Sequence, residues 1–383
     1  MARFSVITAF PEFFNDFLST SIVGRAVKNG LLDVKLVNLR DFGKGNYRQI
    51  DDYSFGSGGM VLTAPVLKCA LDSIPNGGEE PFVVYPSPQG ATVTQEIIET
   101  LFHMEQVVIV CGHYEGLDER FVERYVDLEV SVGDCVLTGG EIPAMVIIDA
   151  VSRLIPGVVG KSEAVQNDSF YRGMLDNPHY TRPYSWEGMD VPRVLVSGNA
   201  SEIEEWRRKA SVERTLKRRP DLLSRSGLNG YMGGGFYVVF MYTESGENVE
   251  ELAAICDGYE VTRLLVVASG ADRDKLRGAF CERLPAKLFP SLGRALEWVR
   301  KKEKSEPLSV SLAGAGDNNK AYHWVELKRI ILERNSSVVF YPYTQSKMGA
   351  LDFKPDILMR EPQNGRLSVI GNVAAILDRL MGF

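Results

Sequence analysis

The sequence predicts an α/β protein built on parallel sheets, and three observations carry that prediction. From residue 61 to 150, unbroken apolar runs alternate with helical stretches. Three Gly/Pro-rich loops each follow an apolar run: 85–90 after Phe82-Val83-Val84, 111–116 after Val107-Val108-Ile109-Val110, and the longer loop 131–143. A second series of apolar runs and helical stretches opens at Phe236. Buried parallel strands read as continuous apolar runs. Loops at their carboxyl ends are where open α/β sheets bind ligands.

Taken in order, residues 3–10 read as a strand and 11–29 as a helix that stops at Asn29-Gly30. Val34 to Leu39 reads as a strand, and 41–60, rich in Gly and Asp, as loop. Ile142 to Leu154 reads as a helix stopped by Pro156-Gly157, and the polar, aperiodic 158–180 as a flexible connector. From Ser201 to Leu216 the pattern is helical, with Ile203, Trp206 and Ala210 on one face; Ser201 and Glu204 fit a capping box. Gly227 to Gly235 reads as a flexible linker. Beyond it, strands are expected at 236–240, 263–267, 308–312 and 337–341, with helices near 247–256, 291–303 and 366–381. The expected layout is a ligand-binding domain (1–160), a connector or lid (161–173), a helical domain (174–228), a linker (229–235) and a second α/β domain (236–383).

At 383 residues, two or three domains are the prior. A net charge of −7 gives no global attraction to nucleic acid, so any RNA contact needs a local basic patch. Five cysteines without CxxC spacing argue against a disulfide framework and a zinc site. The four histidines are scattered, so no metal site is expected. The first residues lack a signal-peptide pattern and no apolar run approaches membrane-spanning length, so a cytoplasmic protein without membrane contact is expected.

Glycines let a ligand approach the main chain, and prolines fix turns. The three loops together therefore predict a pocket of backbone N–H and C=O groups, suited to a flat, polar, near-neutral heterocycle such as adenine. Other nucleotide signals are weak. No G-x-G-x-x-G occurs, and Gly157 to Ser162 imitates a phosphate loop but carries Ile155 where its first glycine belongs.

These loops belong to a longer ordered set of motifs: Phe10-Pro11-Glu12, Gly24 to Gly30, Arg40-Asp41-Phe42, Ser87-Pro88-Gln89-Gly90, Cys111 to Arg120, the 131–143 loop, Asp168-Ser169-Phe170, Pro178 to Pro183, and Leu195 to Asn199. In that order they resemble the bacterial tRNA (guanine-N(1))-methyltransferase family, TrmD, of the SPOUT superfamily, over roughly residues 1–226. The resemblance implies an α/β sheet with a deep trefoil knot, an exception to the no-knot rule. It also implies S-adenosylmethionine bound within the knot loops, and a homodimer whose active sites draw on both chains. A divalent ion such as magnesium is neither required nor excluded by the sequence. Two positions depart from the family pattern. His113 stands where arginine is usual, and the glycine stretch at 56–59 is one residue short, with Ser54 and Ser57 replacing Pro and Gly.

The resemblance implies donor-binding roles for Tyr85, Pro86, Ser87, Pro88, Gly112, Ser131, Val132, Gly133, Asp134, Cys135, Val136, Leu137, Gly139, Gly140 and Pro143. It makes Asp168 the general base that takes the proton from the guanine ring nitrogen, and Arg153 the cation facing charge on the carbonyl oxygen. Glu115 is expected to orient base or cofactor, and Tyr114 to stack on the base. Asp51 and Gly59 resemble positions that read the neighbouring guanine. His179, Arg182 and Ser197 lie on a segment expected to face the anticodon loop. The basic run from Arg207 through Arg208, Lys209 and Arg214 to Arg219 reads as a phosphate track for the tRNA stem, weighed against an ordinary solvated helix face.

Residues 236–383 resemble smaller knotted methyltransferase-like domains, most clearly at Leu367 to Leu380. After Val338 to Tyr341 the chain offers Pro342-Tyr343-Thr344-Gln345-Ser346-Lys347-Met348-Gly349 instead of a glycine-rich loop, so little or no cofactor binding is expected there. The function expected overall is methylation of the guanine at position 37 of tRNA. The alternatives are a non-catalytic RNA-binding or cofactor-sensing protein, or a methyltransferase acting on ribosomal RNA.

Overall fold

A computed structural model describes residues 2–56, 58–75, 78, 80–159, 168–170, 173–242, 248–268, 270, 272–273, 276, 286–313, 321–344, 353–362 and 367–382. The phosphate-loop imitation from 160 onward, most of the expected lid, and the 345–352 loop lie outside them. The chain forms two compact units, 1–167 and 168–383.

In the first unit, β1 (Ala2–Thr8) is followed by a 3₁₀ turn at Pro11–Phe14, α1 (Asn15–Ser19) and α2 (Ser21–Lys28). The helix expected over 11–29 is therefore broken at Thr20. Its backbone is extended, and its hydroxyl donates to the Asp16 carbonyl at 2.6 Å, a local bond that competes with helix continuation. β2 (Leu32–Asn38) follows, then β3 (Asp51–Tyr53), inside the stretch read as loop, and β4 (Met60–Leu62), at its end, which pair as an antiparallel hairpin. Next come α3 (Ala64–Asp72), β5 (Phe82–Thr92), α4 (Gln95–Phe102), β6 (Gln106–Val110), α5 (Glu119–Tyr125), β7 (Leu128–Ser131) and α6 (Glu141–Ser152).

The five long strands form one parallel sheet in the order β2-β1-β6-β5-β7. Alternate residues face opposite sides, so Val107 and Ile109 join the core under α2, α4 and α6, while Val108 and Val110 join the core under α3 and α5. One irregularity matters for function. β7 pairs with β5 at Pro86 and again at Ala91, so the residues between swing out of the sheet at its carboxyl edge. At Gly90 the returning chain lies against the Glu129–Val130 backbone, where a side chain would have no room.

The second unit opens with a small hairpin, β8 (Ser185–Trp186) and β9 (Met189–Asp190), and α7 (Ala200–Arg218). The cap of α7 is Asn199, whose side chain accepts from the Glu202 amide, and not the expected Ser201. The strands are β10 (Phe236–Met241), β11 (Arg263–Val267), β12 (Ala286–Phe289), β13 (Leu308–Leu312), β14 (Val338–Thr344) and β15 (Ile357–Met359). Between and after them lie α8 (Val249–Gly258), α9 (Leu292–Glu303), α10 (Trp324–Arg334) and α11 (Val369–Met381). The sheet is parallel, in the order β12-β11-β10-β14-β13-β15.

Met174, Val212, Leu223 and Leu228 share one core with Val238, Phe240 and the apolar face of α11. The helical stretch before residue 228 is thus packed on the second sheet. The glycines read as a linker are also held: Gly233 abuts Asn335, Gly234 abuts Ser337, and the Gly235 amide donates to Glu303.

Candidate active site

At the carboxyl edge of the first sheet a cleft of about 240 Å³ opens between the three Gly/Pro-rich loops. It is lined by Tyr85, Pro86, Ser87, Pro88, Gly112, Ser131, Val132, Cys135, Val136, Leu137, Gly139, Gly140 and Pro143, all of the residues nominated for the donor except Gly133 and Asp134. Tyr114 and Glu115 also line it, as does His113, the residue that departs from the family pattern, together with Gln89 and Thr138, for which no role was expected.

The loops interlock through close main-chain contacts. The Gly140 amide donates to the Gly112 carbonyl at 2.9 Å, and a Cβ on Gly140 would lie 2.7 Å from the Cys111 Cα. Gly112 and Gly116 lie against the Tyr85 ring and hydroxyl, each with its Cβ position 2.9 Å from that side chain. Burial raises the Tyr85 hydroxyl pKa, and its bond to the Leu117 backbone opposes that shift, so this tyrosine acts as a fixed wall. Ser131 Oγ accepts from the Gly133 amide at 3.2 Å, which curls the third loop on itself.

Four nominated substrate residues come together beside this cleft. Tyr114, in a left-handed conformation (φ +58), exposes its ring. Its hydroxyl pKa is raised by partial burial, by the charge of Asp51 and by a hydrogen bond to Asp51. Gly59 lies directly against the Glu115 side chain, and the Glu115 amide donates to the Met60 carbonyl at 3.0 Å. The hairpin β3–β4 is therefore what carries Asp51 and Gly59 to the 111–116 loop.

A buried carboxylate missed by the sequence reading stands behind the cleft. Glu141 is 3% exposed. Thr8 Oγ1 donates to its Oε1 at 2.7 Å, and His113 Nε2 lies 2.9 Å from both carboxylate oxygens. A carboxylate in this setting accepts, so Nε2 carries the proton. The His113 ring also packs on Phe10 at 4.8 Å, and the Arg40 guanidinium stands over the Phe10 ring, 5.5 Å from its centroid. Only the acid at the first turn of an apolar helix signalled Glu141, and that reads equally as a helix-dipole residue.

Arg153 caps the carboxyl end of α6, half-buried. α6 begins at the cleft, with Gly140 and Pro143 on the lining, and runs 12 residues, a length of about 18 Å. The cleft and Arg153 therefore lie at opposite ends of one rod. Asp168, in the second unit, is half-buried and precedes Phe170, which is left-handed (φ +76) and lies under the Arg219 guanidinium.

Within the second unit, His179 is exposed and bonds Asp176 at 2.7 Å, and Tyr180 packs against Trp206 of α7 at 6.2 Å. Arg182 and Ser197 are exposed on the same run of chain. Among the described residues, Arg207 and Lys209 pair only with exposed glutamates on their own helix, and Arg214 is half-buried. Arg208 is different. Its guanidinium bonds Glu205, the Tyr231 carbonyl and Asn335 Oδ1, and its bond, with that of Lys209, pulls the Glu205 carboxyl down to about 2. Its donors are engaged within the fold, so the phosphate contact expected of it is not carried forward.

Among the described residues, no group of three or more His, Cys, Asp or Glu side chains could hold a metal ion. None of the described helices is long and apolar enough to cross a membrane.

The family description "tRNA (Guanine-1)-methyltransferase TrmD" matches residues 2–225. The tRNA (guanine-N(1)-)-methyltransferase of Moorella thermoacetica is 51% identical over 230 residues, covering 59% of this chain and 92% of its own. The protein of the same name from Ruminiclostridium cellulolyticum is 48% identical over 225 residues, covering 58% and 97%. That of Chlamydia pneumoniae is 38% identical over 323 residues, covering 81% of this chain and 85% of its own, so its likeness reaches well into the second sheet. With more than half of its length matched, and with the cleft loops inside that match, the chain belongs to the tRNA (guanine-N(1))-methyltransferase family, TrmD.

Proposed function

We propose that this protein methylates the N1 nitrogen of guanine 37 in tRNA, with S-adenosylmethionine as donor. The observation that carries the reading is the cleft: three interlocked loops expose main-chain groups between apolar walls such as Pro86, Val132, Leu137 and Pro143. Such a lining fits a flat adenine ring and a short apolar chain, and its glycines leave no room for other side chains. When bound, the sulfonium supplies an electrophilic methyl group. Asp51, Tyr114, Glu115 and Gly59 hold the base beside it, so attack is in line and positioning supplies much of the rate. Asp168 removes the N1 proton, and Arg153 meets the charge that develops on the carbonyl oxygen.

The placement of Arg153 at the far end of α6 supports an active site shared by two chains, with the arginine of one protomer serving the cleft of its partner. The exposed apolar residues Ile142 and Val146 on α6 supply a face for that pairing. A threaded path of 131–140 between the other two loops, the knot of the family, is supported by the Gly140–Gly112 bond and by the crowding at Gly90.

The test is Asp168→Ala. Methylation of a tRNA transcript carrying guanine at position 37 should fall by about two to four orders of magnitude, as expected for loss of a general base. Donor affinity, read by calorimetry, should hold. Undiminished turnover in the variant overturns the assignment of the base, and a wild-type chain inactive on that transcript overturns the function.

A further inference from the structure

In the second unit, residues 286–304 carry six cations and two carboxylates, a local excess in a chain of net charge −7. Both carboxylates are engaged. Glu297 pairs with Arg294 at 3.1 Å and Lys301 at 2.9 Å. Glu303 is turned inward, accepting from the Tyr237 hydroxyl and from the Gly235 amide. Arg300 pairs with Glu306. Lys287, Lys302 and Lys304 have no ion-pair partner among the described residues, and all three are exposed. Ring faces hold two of them outward: Lys287 Nζ stands 4.4 Å from the Trp298 centroid, and Lys302 Nζ 5.4 Å from the centroids of Trp298 and Tyr237. A ring face orients an ammonium group without cancelling its charge.

The patch lies on the face of the second sheet that carries Tyr237 and Val239, and α7 packs on the other face, with Val238 and Phe240; the two approach each other around the sheet's edge. Arg208 of α7 bonds the Tyr231 carbonyl, and Glu303 at the end of α9 bonds the Gly235 amide. Asn335 touches both Arg208 and Gly233. The two basic helices thus flank a strap of residues 231–235, which spans at most about 15 Å even when extended.

We propose that the face formed by β12 and the last turns of α9 is an RNA phosphate-binding surface along which the tRNA backbone lies. The inference rests on tRNA being the substrate. It gives the second α/β body a role that needs no cofactor of its own. Phosphate contacts of this kind set affinity and register rather than base choice.

The test is the full-length triple variant Lys287→Gln/Lys302→Gln/Lys304→Gln, with tRNA binding measured by anisotropy across a salt series. At physiological salt its affinity should fall about tenfold, and the slope of log affinity against log salt should shrink by about two to three. Donor affinity, melting temperature and turnover at saturating tRNA should match the wild type. Affinity and slope equal to wild type overturn the proposal. So does unchanged RNA binding with a changed sedimentation coefficient, which marks the face as a protein contact. If the wild-type chain neither binds nor methylates tRNA, the reading of function fails and not this surface alone.

Discussion

The His113–Glu141–Thr8 network joins three distant stretches of chain behind the cleft. Removing the imidazole leaves a carboxylate that is 3% exposed with one hydroxyl donor. His113→Ala should therefore cost about 1.5–3 kcal/mol, the range for bonds to charged groups, and lower the melting temperature by several degrees. Donor KM should rise, because Gly112 and Gly140 flank the same contact; a variant melting like the wild type would remove this role. Lys328 gives a second residue-scale prediction. It is 1% exposed, its ammonium bonds the Ser226 carbonyl, and burial pulls its pKa down to about 8 from 10.5. Between those values the unfolded chain binds the proton and the folded chain does not, so this group makes stability rise with pH across that window. The swing is on the order of 3 kcal/mol. In Lys328→Met the rise should vanish, read as a melting-temperature gap to wild type that narrows from pH 8 to pH 10. Neither network was legible in the sequence, since Thr8 and Glu141 lie 133 positions apart and a lysine on a helix reads as solvated.

At the scale of elements, the strands with continuous apolar runs were the most legible. β11 and β13 fall where the sequence places them; β11 carries the unbroken run Leu264 to Val267 of a strand buried on both faces, while β13, also buried throughout, interleaves Leu308, Val310 and Leu312 with Ser309 and Ser311. The hairpin β3–β4 was hidden, since strands of only three residues are too short to show a period, although it delivers Asp51 and Gly59 to the site. The break at Thr20 was hidden for a related reason: the apolar pattern continues through it, and the helix is interrupted by the hydroxyls of Ser19 and Thr20 donating to the Asp16 carbonyl and by the left-handed backbone of Ser21. The loops were legible as a group because Gly and Pro mark them directly. α6 carries its own prediction. It buries Ala144, Ile147, Ile148 and Val151 and leaves Ile142 and Val146 exposed. Val146→Asp should leave the fold intact and convert the proposed dimer to a monomer in sedimentation, with loss of methylation. A dimeric, active variant would exclude this face.

At the scale of the molecule, an active site drawn from two chains can be tested by mixing. Arg153→Ala lacks the cation, and Gly140→Val closes the cleft, where even a Cβ lies 2.7 Å from Cys111. Each should be inactive alone. Random mixing should restore about a quarter of wild-type activity, because half of the dimers then hold one complete site. No recovery would place both residues in service of the same chain's cleft. The second unit also behaves as a whole. A chain ending near Tyr231 strips Val212, Leu223 and Leu228 of the sheet they pack on. Its 168–228 portion should lose protection in hydrogen exchange while residues 1–159 keep theirs.

The bond from the Leu228 amide to the Leu380 carbonyl, and the seat of Gly227 on Met381, have a consequence for biosynthesis. Residues 168–228 leave the ribosome some 150 positions ahead of the helix that completes their core. The first unit can close while translation continues. The second unit must wait, its apolar side open to chaperones, until the final helix arrives.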